Sequence, residues 1–345
     1  MFRYIGNKTK LLPYIMEAIE ELAGCEGTVC DLMAGTGSVS LALRKQGYHV
    51  IASDIMTYSY HHLSVLLKLN CAPTFTSLNP IIGCNATYKN VLKYLNSLPG
   101  KEGYFFNEFS SEGTPKNGSP SRKYFTSDNA KKIDSIRDKI NEWGKLSLLS
   151  DIERSVLLHS LILSVNDVAN ISGTYGYFLA NYSKSSLEPF TIKPCEFFNY
   201  HNTDNQVIEG KAEDISKTLT CDVCYIDPPY TKRQYAANYH ILETLARGDY
   251  PEAVGKSGLR DWWDQHSSFC TKTKIFDSFD SVFKMQCNTF IISYSEDGLL
   301  KLPDFESFLK KYGDVSIRKI KYKRFRSNNS PLPTSINEYL IIVRR

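Results

Sequence analysis

The stretch Val29-Cys30-Asp31-Leu32-Met33-Ala34-Gly35-Thr36-Gly37 decides the fold, because a short apolar run leads through a glycine-containing turn into a helical pattern that begins at Ser38. Gly35 and Gly37 allow the backbone to approach a ligand closely, and the amino terminus of the helix offers free N–H groups. The spacing is G-x-G without a third glycine, so it does not specifically indicate a pyrophosphate. A plain strand-to-helix turn would show the same pattern.

A second strand is predicted at Val50-Ile51-Ala52-Ser53-Asp54, and it ends in an acid. It follows the turn by about 20 residues, where a doubly wound sheet places a carboxylate on the hydroxyl groups of a ribose. The two strands together predict an α/β fold that recognises a nucleoside.

A third apolar run, Val223-Cys224-Tyr225-Ile226, leads into Asp227-Pro228-Pro229-Tyr230. The prolines have no N–H and a fixed φ, so their carbonyl groups point in set directions. The Asp227 carboxylate and the Pro228 carbonyl can accept hydrogen bonds from one exocyclic amine, while the Tyr230 ring lies on the face of a flat heterocycle. The alternative is a structural proline turn.

Three blocks in this order resemble those of the S-adenosylmethionine-dependent DNA adenine-N6 methyltransferases, the group typified by the Dam enzymes. They are Tyr4-Ile5-Gly6-Asn7-Lys8-Thr9-Lys10, the turn Asp31-Leu32-Met33-Ala34-Gly35-Thr36-Gly37, and Asp227-Pro228-Pro229-Tyr230. The block order resembles the α-type arrangement, and the resemblance is weakest over 74–120.

The resemblance implies a Rossmann-like class I methyltransferase sheet, mostly parallel with an antiparallel final strand, and an inserted, largely helical target-recognition region. Asp54 and Asp227 are 173 residues apart (227 − 54), whereas one crossover unit takes about 30 residues, so a large insertion is expected between them. We predict a catalytic domain over 1–72 and 200–345 and a DNA-binding insertion over 73–199.

The resemblance also implies S-adenosylmethionine as the cofactor and Asp227, Pro228, Pro229 and Tyr230 as the catalytic residues. In relatives, an acid upstream of the tetrad helps to hold the cofactor's adenine, but here Lys211 aligns with it, so Glu213 or Asp214 substitutes or the contact is absent. We predict Asp214. The remaining predicted cofactor residues are Tyr4, Gly6, Asn7, Lys8, Lys10, Asp31, Met33 (where Phe is usual), Ala34, Gly35, Thr36, Gly37, Asp54 and Ile55.

Cations near loops and along one strand are candidates for contact with DNA phosphates. The net charge of +4 over 345 residues is mild, but six cations alternate with apolar and aromatic residues over 318–326. This alternation predicts a strand with a basic face, and a solvated edge strand guarded by lysines is the alternative. The predicted DNA-binding residues are Arg122, Lys123, Tyr175, Lys232, Arg233, Lys323, Arg324 and Arg326.

Composition places the chain among globular proteins of the cytoplasm. The sequence has 42% hydrophobic and 23% charged residues, no apolar run of membrane-spanning length and no predicted signal peptide. Its nine cysteines form no disulfide framework, and we interpret Cys221 and Cys224 as core or strand-edge thiols, with no metal site.

These patterns together predict a site-specific DNA methyltransferase that modifies adenine N6 in double-stranded DNA by base flipping, beside a cognate restriction endonuclease. The alternatives are cytosine-N4 methylation, for which the tetrad usually begins with Ser, and methylation of RNA or of protein glutamine. A catalytically silent DNA-binding module of the same fold is a further alternative.

Overall fold

The computed structural model describes residues 8–83, 85–200, 202–323 and 335–345. These residues form two compact units. The sheet unit consists of Lys8–Ile55, Tyr200–Gln234 and Gln265–Arg345, and the helical unit consists of Met56–Asn199 and Tyr235–Asp264.

Thirteen α-helices and seven strands follow one another along the described residues. The strands are β1 (Thr28–Asp31), β2 (His49–Asp54), β3 (Gln206–Glu209), β4 (Thr220–Ile226), β5 (Gln286–Ser295), β6 (Asp314–Lys323) and β7 (Ser335–Arg344). The helices are α1 (Leu12–Ala23), α2 (Ser38–Gln46), α3 (Thr57–Lys68), α4 (Asn79–Ile82), α5 (Tyr88–Ser97), α6 (Tyr104–Phe109), α7 (Ser127–Lys145), α8 (Asp151–Val168), α9 (Ala212–Ile215), α10 (Tyr235–Asn238), α11 (His240–Arg247), α12 (Ile275–Val282) and α13 (Leu302–Leu309).

The sheet unit contains one sheet with the strand order β3-β2-β1-β4-β5-β7-β6 among the described residues. Neighbouring strands from β3 to β5 pair in parallel, and β7 pairs antiparallel with both β5 and β6. This arrangement confirms the prediction of a mostly parallel sheet with an antiparallel final strand. The predicted basic strand is β6, at one edge of the sheet.

An aromatic cluster fills the core on one side of this sheet. Phe279 of α12, Phe290 of β5 and Phe305 of α13 are fully buried. Cys221 and Cys224 of β4 belong to the same core, as the sequence predicted.

The helical unit is held together by α3, α8 and α11. Both carboxylate oxygens of Glu243 on α11 accept from the first amides of α3, at Thr57 (3.2 Å) and Tyr58 (3.3 Å), and so cap that helix. The side chains of His62 and His159 meet between α3 and α8, their Nδ1 atoms 2.5 Å apart. The first contact holds the amino-terminal end of α3 against α11, and the second holds the middle of α3 against α8.

The longest helices described in the helical unit are α7 and α8. Ser150 and Glu153 form a reciprocal capping box at the start of α8, and Thr126 caps α7. The helical unit begins at Met56 and includes 235–264, so its boundaries differ from the 73–199 of the predicted insertion. Among the described residues, the longest apolar helices fall short of what a bilayer crossing requires.

Candidate active site

The turn between β1 and α2 is tied to the end of β2. Gly35 and Gly37 have φ values of 56° and 76°, which favour glycine because other side chains rarely adopt them. The Ala34 amide donates to the Ser53 carbonyl (2.9 Å), and the Gly35 amide donates to Oδ2 of Asp54 (2.8 Å). Asp54 therefore fixes the shape of the turn, whatever else its carboxylate contacts.

Asp31, the last residue of β1, is a buried acid. Its Oδ2 accepts from the Ser40 hydroxyl of α2 at 2.6 Å. Burial raises the pKa of Asp31 to about 7, against the opposing effect of the Ser40 hydrogen bond. An acid in this state favours a cationic ligand, because a positive charge nearby would stabilise its ionised form.

The Asp227-Pro228-Pro229-Tyr230 tetrad begins directly after β4, the neighbour of β1 in the sheet. Asp31 and Tyr225 are partners in the parallel register, and the Leu32 amide donates to the Tyr225 carbonyl at 3.1 Å. Because parallel strands end at the same edge, the turn and the tetrad lie at one edge of the sheet.

Lys8 lies against the tetrad. Its Nζ is 3.2 Å from Oδ1 of Asp227 and 3.9 Å from Oε2 of Glu338 on β7. Burial raises the pKa of Asp227, and the Lys8 ammonium opposes that rise. Lys8 and Asp227 are among the predicted site residues, but Glu338 is not. The sequence feature that could have identified it is an acidic residue within the largely apolar strand pattern of 336–343.

Tyr230 is held in place while part of its side chain stays accessible. Its ring meets the Tyr294 ring edge-on at a centroid distance of 5.8 Å, and its carbonyl accepts from the Leu299 amide at 2.9 Å. The Lys8 ammonium is 5.2 Å from the ring centroid. A half-buried ring with a fixed backbone is suited to stacking on a flat ligand.

The other predicted cofactor residues differ in what the structure shows of them. Met33, Ala34 and Thr36 are half-buried in the turn, Lys10 is exposed, and the Ile55 carbonyl accepts from Gln265 at 3.0 Å. Tyr4, Gly6 and Asn7 lie outside the described residues.

Asp214 lies on the surface, where its side chain is 68% exposed and pairs with Lys217 at 2.8 Å. That lysine lowers the pKa of Asp214. Glu213 instead accepts from the Ser278 hydroxyl at 2.9 Å. The structure gives no support to Asp214 as a contact of an enclosed adenine ring.

Two of the predicted DNA-binding residues are buried, which corrects their assignment. The Arg122 side chain has no exposed surface, and its guanidinium bonds to Glu108 (2.7 Å) and to the carbonyl of Gly255 (3.0 Å). Tyr175 is also fully buried, and its hydroxyl donates to Oδ1 of Asn166 at 3.3 Å. Both side chains serve packing, because the Arg122 guanidinium is enclosed by Glu108 and the backbone of 253–255, and the Tyr175 ring stacks on Tyr124.

Of the other cations predicted to bind DNA, three are exposed and three have side chains outside the described part of the structure. Lys123, Lys232 and Arg233 are exposed. The side chain of Lys323 is outside the described part of the structure, as are Arg324 and Arg326. Two exposed rings are not among the predicted DNA-binding residues. Tyr177 is 53% exposed and stacks on Phe178, and Trp263 is 70% exposed and stacks on Trp262.

The sheet order, the glycine turn and the tetrad together define a Rossmann-like methyltransferase. The chain belongs to the D12 class N6 adenine-specific DNA methyltransferase family, whose sequence model matches residues 4–311.

Named relatives match nearly the whole chain. This chain is 34% identical over 350 residues to the type II methyltransferase M.FokI of Planomicrobium okeanokoites, and the match covers 99% of this chain and 52% of that protein. It is 32% identical to the type II methyltransferase M.NlaIII of Neisseria lactamica, covering 99% of each. It is 31% identical to the type II methyltransferase M.CviAII of Paramecium bursaria Chlorella virus 1, covering 99% of this chain and 97% of the other. The chain thus spans about half the length of M.FokI and of the modification methylase StsI, but nearly all of M.NlaIII.

Proposed function

We propose that this protein transfers the methyl group of S-adenosylmethionine to N6 of adenine in duplex DNA, as a site-specific methyltransferase of a restriction-modification system. The observation that carries the proposal is the position of two polar sites at neighbouring strand ends. The turn after β1 and Asp227 after β4 lie at the same edge of the sheet, joined by the register of Asp31 with Tyr225. A methyl donor and an amine acceptor bound there would be neighbours.

The residues at the ends of β1 and β2 fit the proposed cofactor. Asp31 is a buried acid, and the ammonium of a methionine moiety against it would offset the cost of its buried charge. Asp54 ends β2 where a carboxylate can accept from ribose hydroxyls, and the glycine turn permits close approach. When bound, S-adenosylmethionine supplies an electrophilic methyl group on a sulfonium.

The tetrad fits the amine of an adenine. The N6 lone pair of adenine is delocalised into the ring, which makes this nitrogen a poor nucleophile. Hydrogen bonds from its NH2 group to the Asp227 carboxylate and the Pro228 carbonyl favour a tetrahedral nitrogen and free the lone pair for attack. The rate then depends on positioning and electrostatics. The nitrogen becomes acidic only once it is methylated, and Asp227 is placed to receive its proton.

An adenine within a duplex cannot reach such a site while it is stacked. We propose that the base is flipped out of the helix and that the half-buried Tyr230 ring stacks on it.

The DNA-contacting role falls to exposed side chains. Lys123 of the helical unit and Lys232 and Arg233 of the sheet unit are available to phosphates, and Tyr177 and Trp263 add exposed rings in the helical unit. Binding through such cations weakens steeply with salt, because each neutralised phosphate releases counterions. We assign target recognition to the helical unit.

The biological setting is also proposed. We propose a cognate endonuclease as the functional counterpart and a reaction in the cytoplasm. The relatives are named type II methyltransferases or modification methylases, which supports a role in DNA modification.

Replacing Asp227 tests the proposed function. In Asp227→Ala we expect kcat for methyl transfer to DNA to fall by at least about 10²–10³-fold, the usual effect of removing a group aimed at transition-state charge. Binding of S-adenosylmethionine, measured by calorimetry, should change little. Asp222→Ala is the matched control, since Asp222 lies in the same strand but accepts from the Thr28 amide at 2.7 Å, away from the tetrad. Near-normal transfer by Asp227→Ala would refute the assignment.

A further inference from the structure

Glu338 reaches the candidate active site because β7 runs against the other strands. The amino-terminal part of an antiparallel strand lies at the edge where its parallel neighbours end, and Glu338 pairs in register with Ser295, the last residue of β5. Its side chain is buried, with the whole residue only 6% exposed. A buried acid on an otherwise apolar strand calls for a physical reason, since carboxylates are rarely buried without a partner.

A cation, the ammonium of Lys8, lies next to Glu338. The Lys8 Nζ lies 3.9 Å from Oε2 of Glu338 and 3.2 Å from Oδ1 of Asp227, and Lys8 itself is 5% exposed. Oε2 of Glu338 has no hydrogen-bond partner within the described residues. One buried ammonium is thus shared by two carboxyl groups, one of which belongs to the tetrad.

Burying the Glu338 carboxyl group costs free energy, so packing alone does not explain an acid at this position of β7. Burial raises the pKa of Glu338 to about 7, the Lys8 ammonium and the Ser295 hydroxyl oppose the rise, and the Asp227 carboxylate adds to it. A buried acid whose charge is incompletely compensated is typical of functional sites.

We infer that Glu338 is a positioning residue for methyl transfer, which holds the Lys8 ammonium on the Oδ1 side of Asp227 so that Oδ2 faces the adenine amine. The inference rests on the proposed function. Glu338 is assigned no contact with either substrate. It acts only through Lys8.

The position of the Lys8 ammonium gives this role its expected kinetic effect. Methyl transfer places a positive charge on N6, beside Asp227. An ammonium that moved from Oδ1 toward the amine would therefore repel the transition state more than the ground state. A change confined to Glu338 should therefore lower kcat and leave the KM for DNA and for cofactor nearly unchanged.

The test compares Glu338→Gln, which keeps the shape of the side chain, with Glu296→Gln, which changes an exposed glutamate in the turn after β5. We expect Glu338→Gln to lower kcat by about 10-fold, equivalent to about 1.4 kcal/mol of barrier, with KM values within about twofold. Glu296→Gln should match the wild type. In a Lys8→Met background, adding Glu338→Gln should cost no more than about twofold, because the group through which it acts is gone.

A second measurement tests the contact between Lys8 and Glu338 independently of catalysis. In protein labelled with ¹⁵N-lysine, hydrogen exchange at the Lys8 ammonium should speed up in Glu338→Gln and stay unchanged in Glu296→Gln. An unchanged exchange rate in Glu338→Gln would overturn the contact itself. Faster exchange with an unchanged kcat, or losses that simply add in the double variant, would overturn the positioning role. A wild-type protein that methylates no DNA would instead refute the proposed function, while the exchange measurement would still decide the contact.

Discussion

Buried charges occur in both units, but they are compensated differently. In the helical unit, Arg122 meets Glu108 at 2.7 Å and also bonds to backbone carbonyls. In the sheet unit, the buried Asp31 accepts from the Ser40 hydroxyl, and the Lys8 ammonium is shared between Asp227 and Glu338 of β7. We interpret the pairing of Arg122 with Glu108 as packing and the incomplete compensation of Asp31 and Glu338 as the sign of a site that takes a ligand.

Removing the Arg122 side chain should give the largest loss of stability. In Arg122→Met, the carboxylate of Glu108 would remain buried without its partner, and the free energy of unfolding should fall by about 3–5 kcal/mol. Chemical denaturation monitored by circular dichroism would measure it.

Lys123→Met is the control for that variant, because Lys123 is the exposed neighbour of Arg122. Its stability should stay within about 0.5 kcal/mol of the wild type, while its affinity for DNA falls and loses part of its salt dependence. A stable Arg122→Met protein with weakened DNA binding would show that Arg122 is a DNA ligand after all.

The pH dependence of stability should reveal the buried acid of the sheet unit. The folded pKa of Asp31 is about 7, above the usual value of 3.8, so the folded state holds this proton more tightly than the unfolded state. Its contribution to stability is present below about pH 4 and is lost as the pH rises to about 7. Asp31→Asn lacks this titration.

The variant should therefore gain stability relative to the wild type between pH 4 and pH 7, by at most about 4 kcal/mol. Differential scanning calorimetry of both proteins without cofactor would measure the difference. A difference that does not change with pH would mean that Asp31 is ionised throughout and is better compensated than its surroundings indicate.

Substitutions of the two tyrosines in the 170–179 segment should have the smallest effects on stability and on DNA affinity. Tyr175→Phe removes a buried hydroxyl that donates to Asn166, and we expect a loss of about 1–2 kcal/mol with unchanged DNA affinity. Tyr177→Ala should leave stability almost unchanged and weaken DNA binding several-fold, since its ring is largely exposed. Fluorescence anisotropy with labelled duplex would separate the two, and a reversed outcome would restore Tyr175 as the DNA contact.

The sheet could be predicted from the sequence because its signals are local. A strand, a glycine turn and a helix adjoin one another around Gly35, and the tetrad directly follows β4. The parallel pairing of β1 with β4, typical of the predicted fold, then brings Asp31 and Asp227 to one edge.

The sequence does not show in the same way which individual side chains are buried and which are exposed. Arg122 and Lys123 are adjacent and have the same charge, yet one is buried and the other exposed because segments distant in sequence fold over the first. The role inferred for Glu338 depends on an antiparallel pairing between β5 and β7 that no local motif announces.

The chemical identity of the modified base tests the central claim most directly. The protein would be incubated with S-adenosylmethionine and unmethylated duplex DNA, and the DNA digested to nucleosides for chromatography and mass spectrometry. We predict N6-methyldeoxyadenosine as the product. N4-methyldeoxycytidine in its place, or DNA left unmodified, would contradict the assignment of Asp227 and Tyr230 to an adenine.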